Sequence, residues 1–411
     1  MDDFRVKQQL APKGRQSIAR GVSPWENSSR TQALKGRNFF RIHLSPHRGY
    51  DLLFRYSRVS FQEIKVDQPA YNPWLHRIAI LTACIALLPI LMGALVTTKD
   101  AGMAFADWPR SDGHNMLSYP WLQSAGQKFL EHGHRLAGIL IGVVSIVLAI
   151  TAVRVERRVW VKWLAFGVLA AVITQGLLGG QRVRLDDRGL AFVHGSFAAL
   201  VLSLMASLAV ITSRSWDATV SCSHDTISGK PSHGSLGRLK LLALVTCICV
   251  FIQYILGGLL RHQGKVLYEH LGFAFVAAVM VIWLAMAAAA SSNAWLRGPA
   301  IGLAALTILQ LALGAGAWIT KFGFNDRVAV YGSLEQVVMR TAHVMCGMLL
   351  FVTCVVLAVR IARLQFLSAN SADQRAETGG VPANSAGLPS GLLLSSAPIT
   401  GNGLSIAGGV R

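Results

Sequence analysis

The chain has 411 residues, of which 53% are hydrophobic and only 14% are charged, and its formal net charge is +19. Soluble domains carry about 25% charged residues, so a chain with so few cannot keep most of its surface in water. The composition excludes collagen-like, disulfide-scaffold and coiled-coil proteins, and it leaves a disordered state only for the two ends.

The positive charge is distributed as in a membrane protein. Of the 39 Lys and Arg residues, 14 precede residue 78, and most of the others lie in short polar gaps between apolar runs. We therefore expect contact with membrane lipid and none with nucleic acid. The six cysteines contain no C-x-x-C pair, so neither a disulfide framework nor a thiolate metal site is predicted.

Eight apolar runs are long enough to cross a bilayer, which takes about 20 residues in a helix. A backbone in lipid must satisfy its own hydrogen bonds, so the sequence predicts an all-α integral membrane protein with eight transmembrane helices. The predicted spans are 78–96, 136–153, 161–180, 190–211, 239–260, 267–290, 301–320 and 337–359.

The two ends and the loops predict the orientation. Residues 1–75 are predicted to be a basic, mostly disordered cytoplasmic segment, and residues 363–411 a disordered tail. With the amino terminus inside, the inner segments hold 27 of the 39 Lys and Arg residues. Both termini are then cytoplasmic. The expected location is the cell inner (plasma) membrane, with the mitochondrial inner membrane as the alternative.

The spans repeat in fours. The end of span one, Ile90–Val96, is similar to the end of span five, Tyr254–Leu260, and Gln175–Gly180 of span three is similar to Gln310–Ala315 of span seven. This repeat predicts two pseudo-symmetric four-helix bundles. The predicted parts are an amino-terminal half (76–212), a cytoplasmic linker (213–238) and a carboxyl-terminal half (239–362).

Four of the twelve histidines lie near the start of an even-numbered span, at one depth near the outer surface; they are His134, His194, His270 and His343. An ionisable residue inside a span is costly and is a functional candidate. Two inward imidazoles on facing helices of a bundle suit an iron porphyrin with two axial ligands. The pattern predicts one haem site in each half. His132 lies about 200° around the helix from His134, so both cannot face one iron. His262 is predicted to lie in a solvated outer loop.

Charged residues accompany these histidines. Glu131 precedes His134 by three residues and shares its helix face, which suits a proton acceptor or a charge stabiliser beside the haem. Complementing the helix dipole is the alternative for Glu131. Arg135 and Arg340 lie at outer ends of spans, where they are predicted to bind haem propionates or to act as interfacial anchors.

The stretch Glu131–Arg135 resembles the E-x-x-H-R element of haem A synthases. Gly93–Val96 followed by Gly102–Pro109, with its Asp-Trp-Pro, is similar to the first span and outer loop of that family. His194, His270 and His343 fall where the family places its other haem-ligating histidines. The resemblance covers residues 76–362, and it departs from the pattern of some members because the chain has no outer-loop cysteine.

The resemblance implies an oxidoreductase that converts a methyl group of haem O into a formyl group, giving haem A for cytochrome c oxidase. His134 and His194 would face the substrate haem O, and Glu131 would be the catalytic residue. His270 and His343 would be the axial ligands of haem b, the implied cofactor. The implied partners are haem O synthase and cytochrome c oxidase assembly factors, and a homo-oligomer is left open.

Two other functions fit the same residues. A di-haem cytochrome b would carry electrons from quinol without modifying haem, although four histidines at one depth disfavour a relay across the membrane. A transporter without haem would use the histidines to line a solute or proton path.

Overall fold

The computed structural model describes residues 71–217, 233–291 and 293–378. Eight helices in these ranges are long and apolar enough to cross a membrane, which confirms the predicted all-α membrane fold. The chain is a multi-pass membrane protein. The predicted disorder of residues 1–70 and 379–411, most of the predicted linker, and Cys222 lie outside the described residues.

Seven of the eight helices are longer than the apolar runs that predicted them, because polar residues at their ends continue the helices toward the membrane interface, and α6 is one residue shorter than its run. The last helix extends past residue 362, where the predicted tail begins, and Ile361 and Leu364 pack in the apolar core. The helices are α1 (Pro73–Thr98), α2 (Gly126–Val155), α3 (Val159–Arg184), α4 (Arg188–Ile211), α5 (His233–Gln263), α6 (Leu267–Ala289), α7 (Ala294–Phe322) and α8 (Leu334–Thr378).

Short polar side chains decide where several helices begin. Asn72 accepts hydrogen bonds from the backbone N–H groups of Trp74 and Leu75 at the start of α1, where Pro73 takes a first-turn position. Asp187 caps α4 in the same way. The Asn72 cap explains why α1 begins five residues before the predicted span at 78.

The helices pack in two sets of four. In the first set, α1 and α3 each contact α2 and α4; in the second, α5 and α7 each contact α6 and α8. The sets meet where α4 contacts α5 and α8 and where α1 contacts α8. A pseudo-symmetric relation between the sets, and the domain boundaries drawn from it, stay predictions.

Four loops lie at the end of the molecule where the even-numbered helices begin, and we refer to this end as the cap side. Three of them are short or of moderate length, at 185–187, 264–266 and 323–333. The fourth, residues 99–125, is much longer and contains the 3₁₀ turn Trp121–Gln123. We refer to residues 99–125 as the cap loop.

Candidate functional site

A cavity of about 1360 Å³ lies between the two sets of helices, and residues from both sets line it. Sites for single small ligands usually enclose about 300–1,000 Å³, so this volume can hold more than one ligand. All the site residues predicted from the sequence line it: Glu131, His134, Arg135, His194, His270, Arg340 and His343.

The four histidines meet in the two predicted pairs. The ring centres of His134 and His194 are 6.1 Å apart, and those of His270 and His343 are 6.3 Å apart. Two imidazoles that share one metal at a metal–nitrogen distance of about 2 Å have ring centres about 6 Å apart. Both pairs therefore fit two axial ligands of one haem iron.

Hydrogen bonds orient three of these rings. Nδ1 of His134 lies 2.8 Å from the carbonyl oxygen of Pro89, and Nδ1 of His194 lies 3.1 Å from that of Gln175. Nδ1 of His270 lies 3.1 Å from the side-chain amide of Gln253. At His134 and His194 the carbonyl oxygen accepts from an Nδ1–H group, which leaves Nε2 free to bind a metal. At His270 the same tautomer requires the amide oxygen of Gln253, rather than its nitrogen, to face Nδ1.

The ring of His343 differs, because its Nε2 lies 3.4 Å from the side-chain amide of Gln310. Its Nδ1 is buried and has no hydrogen-bond partner among the residues that the structure describes. Exchange of the amide oxygen and nitrogen of Gln310, together with a turn of the ring, would give His343 the arrangement of the other three.

A glycine on the neighbouring odd-numbered helix lies against each imidazole. A Cβ built on any of the four would lie 3.0–3.1 Å from Cε1 of the histidine. Carbon atoms in ordinary contact are about 3.5–4.0 Å apart, so no other residue fits without moving the ring. The pairs are Gly93 with His134, Gly179 with His194, Gly257 with His270 and Gly314 with His343.

Glu131 joins the cap loop to α2. Its Oε2 accepts hydrogen bonds from the backbone N–H groups of Ala104 (2.7 Å) and Phe105 (3.2 Å), and its Oε1 accepts one from Nη2 of Arg135 (2.7 Å). Glu131 is only 3% exposed. Three donors, one of them a guanidinium, surround this buried carboxylate, an arrangement that suits a charge stabiliser.

Arg135 completes this connection. Its Nη1 donates to the carbonyl oxygens of Asp107 (2.9 Å) and Arg110 (2.6 Å), and its guanidinium lies 5.1 Å from the ring centre of Phe105. These contacts tie Arg135 to the cap loop. Its predicted contact with a haem propionate remains a prediction.

The Asp-Trp-Pro stretch shapes the cap loop. Asp107 accepts hydrogen bonds from the backbone N–H groups of Asp112 (3.0 Å) and Gly113 (2.8 Å). Desolvation raises the pKa of Asp107, but these donors outweigh it and keep the pKa below its ordinary value of 3.8. Trp108 lies against α3 where only Gly180 leaves room for its indole.

Two other histidines are placed differently from each other. His132 points away from the cavity, where its Nδ1 lies 3.0 Å from Oγ of Ser111 and its ring packs on Tyr119. This follows from its position around the helix relative to His134. His262, which was predicted to lie in a solvated loop, instead belongs to the last turn of α5 and lines the cavity, because α5 extends beyond its apolar run.

Two arginines from the second set also line the cavity. Arg261 donates from Nη2 to the carbonyl oxygen of Ala94 (2.6 Å) and to Oγ1 of Thr98 (2.9 Å), so it ties α5 to α1. Arg340 has no ion pair or side-chain hydrogen bond with any residue in the described ranges. Of the two, Arg340 is the one whose donors are left for an anionic ligand.

The glutamines were not identified from the sequence. The side-chain amides of Gln175 and Gln253 donate to the carbonyl oxygens of His194 (2.8 Å) and His270 (2.9 Å). A pattern Gln-x-x-x-Gly occurs at 175–179, 253–257 and 310–314, and in span one Pro89 stands at the glutamine position. The repeat had already aligned Gln175 with Gln310, and extending it on this pattern would have added Gln253 and indicated a shared role for the three.

Part of the chain matches a known protein family. Residues 122–271 match the family model COX15-CtaA, which describes cytochrome oxidase assembly proteins. The matched range contains Glu131, His134, His194 and His270, whereas His343 lies beyond it.

Several curated relatives are named "Heme A synthase". The chain is 27% identical to that of Symbiobacterium thermophilum over 46% of this chain and 60% of the relative, and 29% identical to that of Alkalihalophilus pseudofirmus over 32% and 44%. It is 27% identical to that of Geobacillus kaustophilus over 61% of this chain and 84% of the relative. The chain thus spans about half the length of the first two relatives and most of the third. By these matches, the chain is similar to haem A synthases and, over residues 122–271, to the COX15-CtaA family.

Proposed function

We propose that the protein is a haem A synthase, an oxidoreductase that converts a methyl group of haem O into a formyl group to give haem A for cytochrome c oxidase. The observation that carries this proposal is the presence of two imidazole pairs in one cavity, with ring centres 6.1 and 6.3 Å apart. Two pairs allow one haem to be the substrate and the other to be a resident cofactor.

The first set of helices is the proposed substrate site, with His134 and His194 holding haem O. The cap loop favours this assignment, because it belongs to the first set and reaches the cavity through Gly102 and Met103. A covered site excludes water from a reacting group. The corresponding connection in the second set is only the short loop 264–266.

His270 and His343 of the second set would hold haem b. When bound there, haem b would supply an electron-transfer centre. Gln253 orients His270, and apolar residues of the surrounding helices line the cavity beside it. Arg340 is proposed to bind a haem propionate, because its guanidinium lines the cavity and lacks a partner among the described residues.

Glu131 is the proposed catalytic residue. It lines the cavity one helical turn from His134, where its negative charge would stabilise positive charge developing on the substrate. Its hydrogen bonds to Ala104 and Phe105 also make its position depend on the cap loop. Arg135 donates hydrogen bonds to both Glu131 and the cap loop at Asp107, so it holds the two together.

We further propose that the cap side faces outward and that both termini are cytoplasmic, in a cell inner (plasma) membrane, as the Lys and Arg distribution favours. The proposed partners are haem O synthase, which supplies the substrate, and cytochrome c oxidase assembly factors.

The decisive experiment is expression of the full chain with a source of haem O, followed by chromatography of the extracted porphyrins. Haem A is the expected product. Haem b alone, with haem O left unchanged, would refute the proposal and support a di-haem electron carrier. A colourless purified protein would refute both.

Variants separate the two sites. Glu131→Ala should abolish haem A while haem b stays bound in the second set, and His270→Ala should deplete haem b. Normal haem A production by Glu131→Ala would refute the catalytic assignment. Ser124→Ala, a change in the cap loop away from Glu131, serves as the control.

A further inference from the structure

His262 belongs to the second set of helices but lies beside the imidazole pair of the first set. It occupies the last turn of α5, is partly buried and lines the cavity. Its Nε2 lies 3.6 Å from a Cβ built on Gly195 of α4, which directly follows His194. His262 and His194 are also close enough to interact electrostatically. The second set therefore contributes an imidazole to the wall of the first site.

The ring of His262 has hydrogen-bonding capacity left for a ligand. No hydrogen bond or ion pair joins it to a residue in the described ranges. The charged side chains that act on it most strongly are Arg261 and Arg182, and both are positive. Arg261 is bonded to α1, and Nη1 of Arg182 donates to the carbonyl oxygen of Gly102 (2.7 Å). An unused ring donor beside two guanidinium groups suits an anionic ligand.

The anionic part of a haem is its pair of propionates. Within the described ranges, the Lys and Arg residues that line the cavity all lie in the cap-side halves of their helices; they are Arg135, Arg182, Arg188, Arg261, Lys321 and Arg340. Carboxylates pair with such groups, so we expect the propionates of a bound haem to point toward the cap side. His262 lies at the same side of the cavity, in the last turn of α5.

The second imidazole pair has no equivalent of His262. In the alignment of span one with span five, Thr98 stands at the position of His262. Thr98 also contacts the opposite set, because Oγ1 of Thr341 donates to its Oγ1 (3.2 Å) two residues before His343. However, the hydroxyl of Thr98 donates within α1 and accepts a second hydrogen bond from Arg261. Of the two aligned positions, only that of His262 supplies a donor that is unused among the described residues.

We propose that His262 binds the substrate by donating a hydrogen bond from its imidazole to a propionate carboxylate of the haem held by His134 and His194. The first site is then completed by a residue of the second set. This inference rests on the proposed function, because it names a residue that holds the proposed substrate.

The test combines a change in the protein with a change in the ligand. In His262→Thr, the residue at the aligned position of α1 replaces the imidazole. Purified full-length protein loaded with haem b is titrated with haem O or with its dimethyl ester, in which both propionates are blocked, and binding is followed at the Soret band. Gln263→Ala is the matched control, because Gln263 is the exposed neighbour in the same helical turn and does not line the cavity.

The unchanged protein and the control should bind haem O more tightly than its diester. In His262→Thr this preference should fall about tenfold or more, which is the effect of one hydrogen bond to a charged group, while the haem b content stays the same. A merely structural role of His262 would weaken the binding of both ligands alike. Equal losses for haem O and the diester, no loss for either, or no preference in the unchanged protein would overturn the inference.

His262→Gln is a second variant, because its amide nitrogen can take the position of Nε2. It should keep most of the preference for haem O over the diester, and a loss as large as that of His262→Thr would contradict the hydrogen bond.

Failure of the proposed function gives a different result. If the unchanged protein binds no haem O, the proposed substrate is wrong, and the inference about His262 falls with it. If the unchanged protein binds haem O but makes no haem A, the proposed reaction is wrong, and the comparison of haem O with its diester still decides the role of His262.

Discussion

Replacement of Gly257 by alanine tests how the fold positions a haem ligand. The added Cβ would lie 3.0 Å from Cε1 of His270, whereas carbon atoms in contact are about 3.5–4.0 Å apart. The ring must therefore move by about half an ångström or more. Metal–ligand distances tolerate only about 0.2 Å, so the shift is large enough to weaken ligation.

The expected effect is a fall in haem b affinity of about 10–100-fold, comparable to the loss of a group that orients a metal ligand. This corresponds to roughly 1.4–2.8 kcal/mol. The fold should not suffer, because alanine is favoured over glycine in a helix by about 1 kcal/mol. Lost haem with an undiminished melting temperature of the apoprotein therefore distinguishes a displaced ligand from an unfolded protein.

The assay is the ratio of haem b to purified protein, measured from the pyridine haemochrome and the Soret band. Gly272→Ala is the matched control, because it lies two residues from His270 and a Cβ there meets no atom within 4 Å. Gly179→Ala should leave haem b in place, since its Cβ would displace His194 of the other pair. Full haem b content in Gly257→Ala would refute the reasoning.

Three further changes test single contacts. With its amide oxygen toward the Nδ1–H group of His270, Gln253 raises the basicity of the ligand. Gln253→Leu removes this acceptor, so the midpoint potential of haem b should rise in a redox titration; an unchanged potential would contradict this. The lowered pKa of Asp107 stabilises the folded cap loop above pH 3.8, and this stabilisation is lost as the pH falls further. Hydrogen exchange in the cap loop, corrected for its intrinsic rate, should therefore accelerate below about pH 3.8. Asp107→Asn should abolish this acceleration. Arg261→Met removes two charge-assisted hydrogen bonds between α5 and α1 and should cost about 1–3 kcal/mol in a thermal unfolding assay. Glu335→Ala, which breaks an exposed ion pair, should cost less than about 1 kcal/mol, and equal losses would argue against a buried tie between the two sets.

The sequence alone determined the eight helices and the depth of the histidines. Lipid forces the backbone into helices, and the length of each apolar run fixes how often the chain crosses. Position along a helix then gives depth, and the 3.6-residue period gives the face, which is why His134 rather than His132 could be chosen. The helix ends were harder to predict, since Asn72 and Asp187 act through hydrogen bonds outside the apolar runs.

Only the tertiary structure decided what each charged group touches. Glu131 could be placed beside His134 from spacing, but its bonds to Ala104 and Phe105 depend on the path of the cap loop, which has no periodicity to read. The same holds for His262, which reaches the cavity because α5 runs past its apolar segment. Periodicity fixes each helix separately, whereas the rotation of one helix against another is set by side-chain packing across their interface.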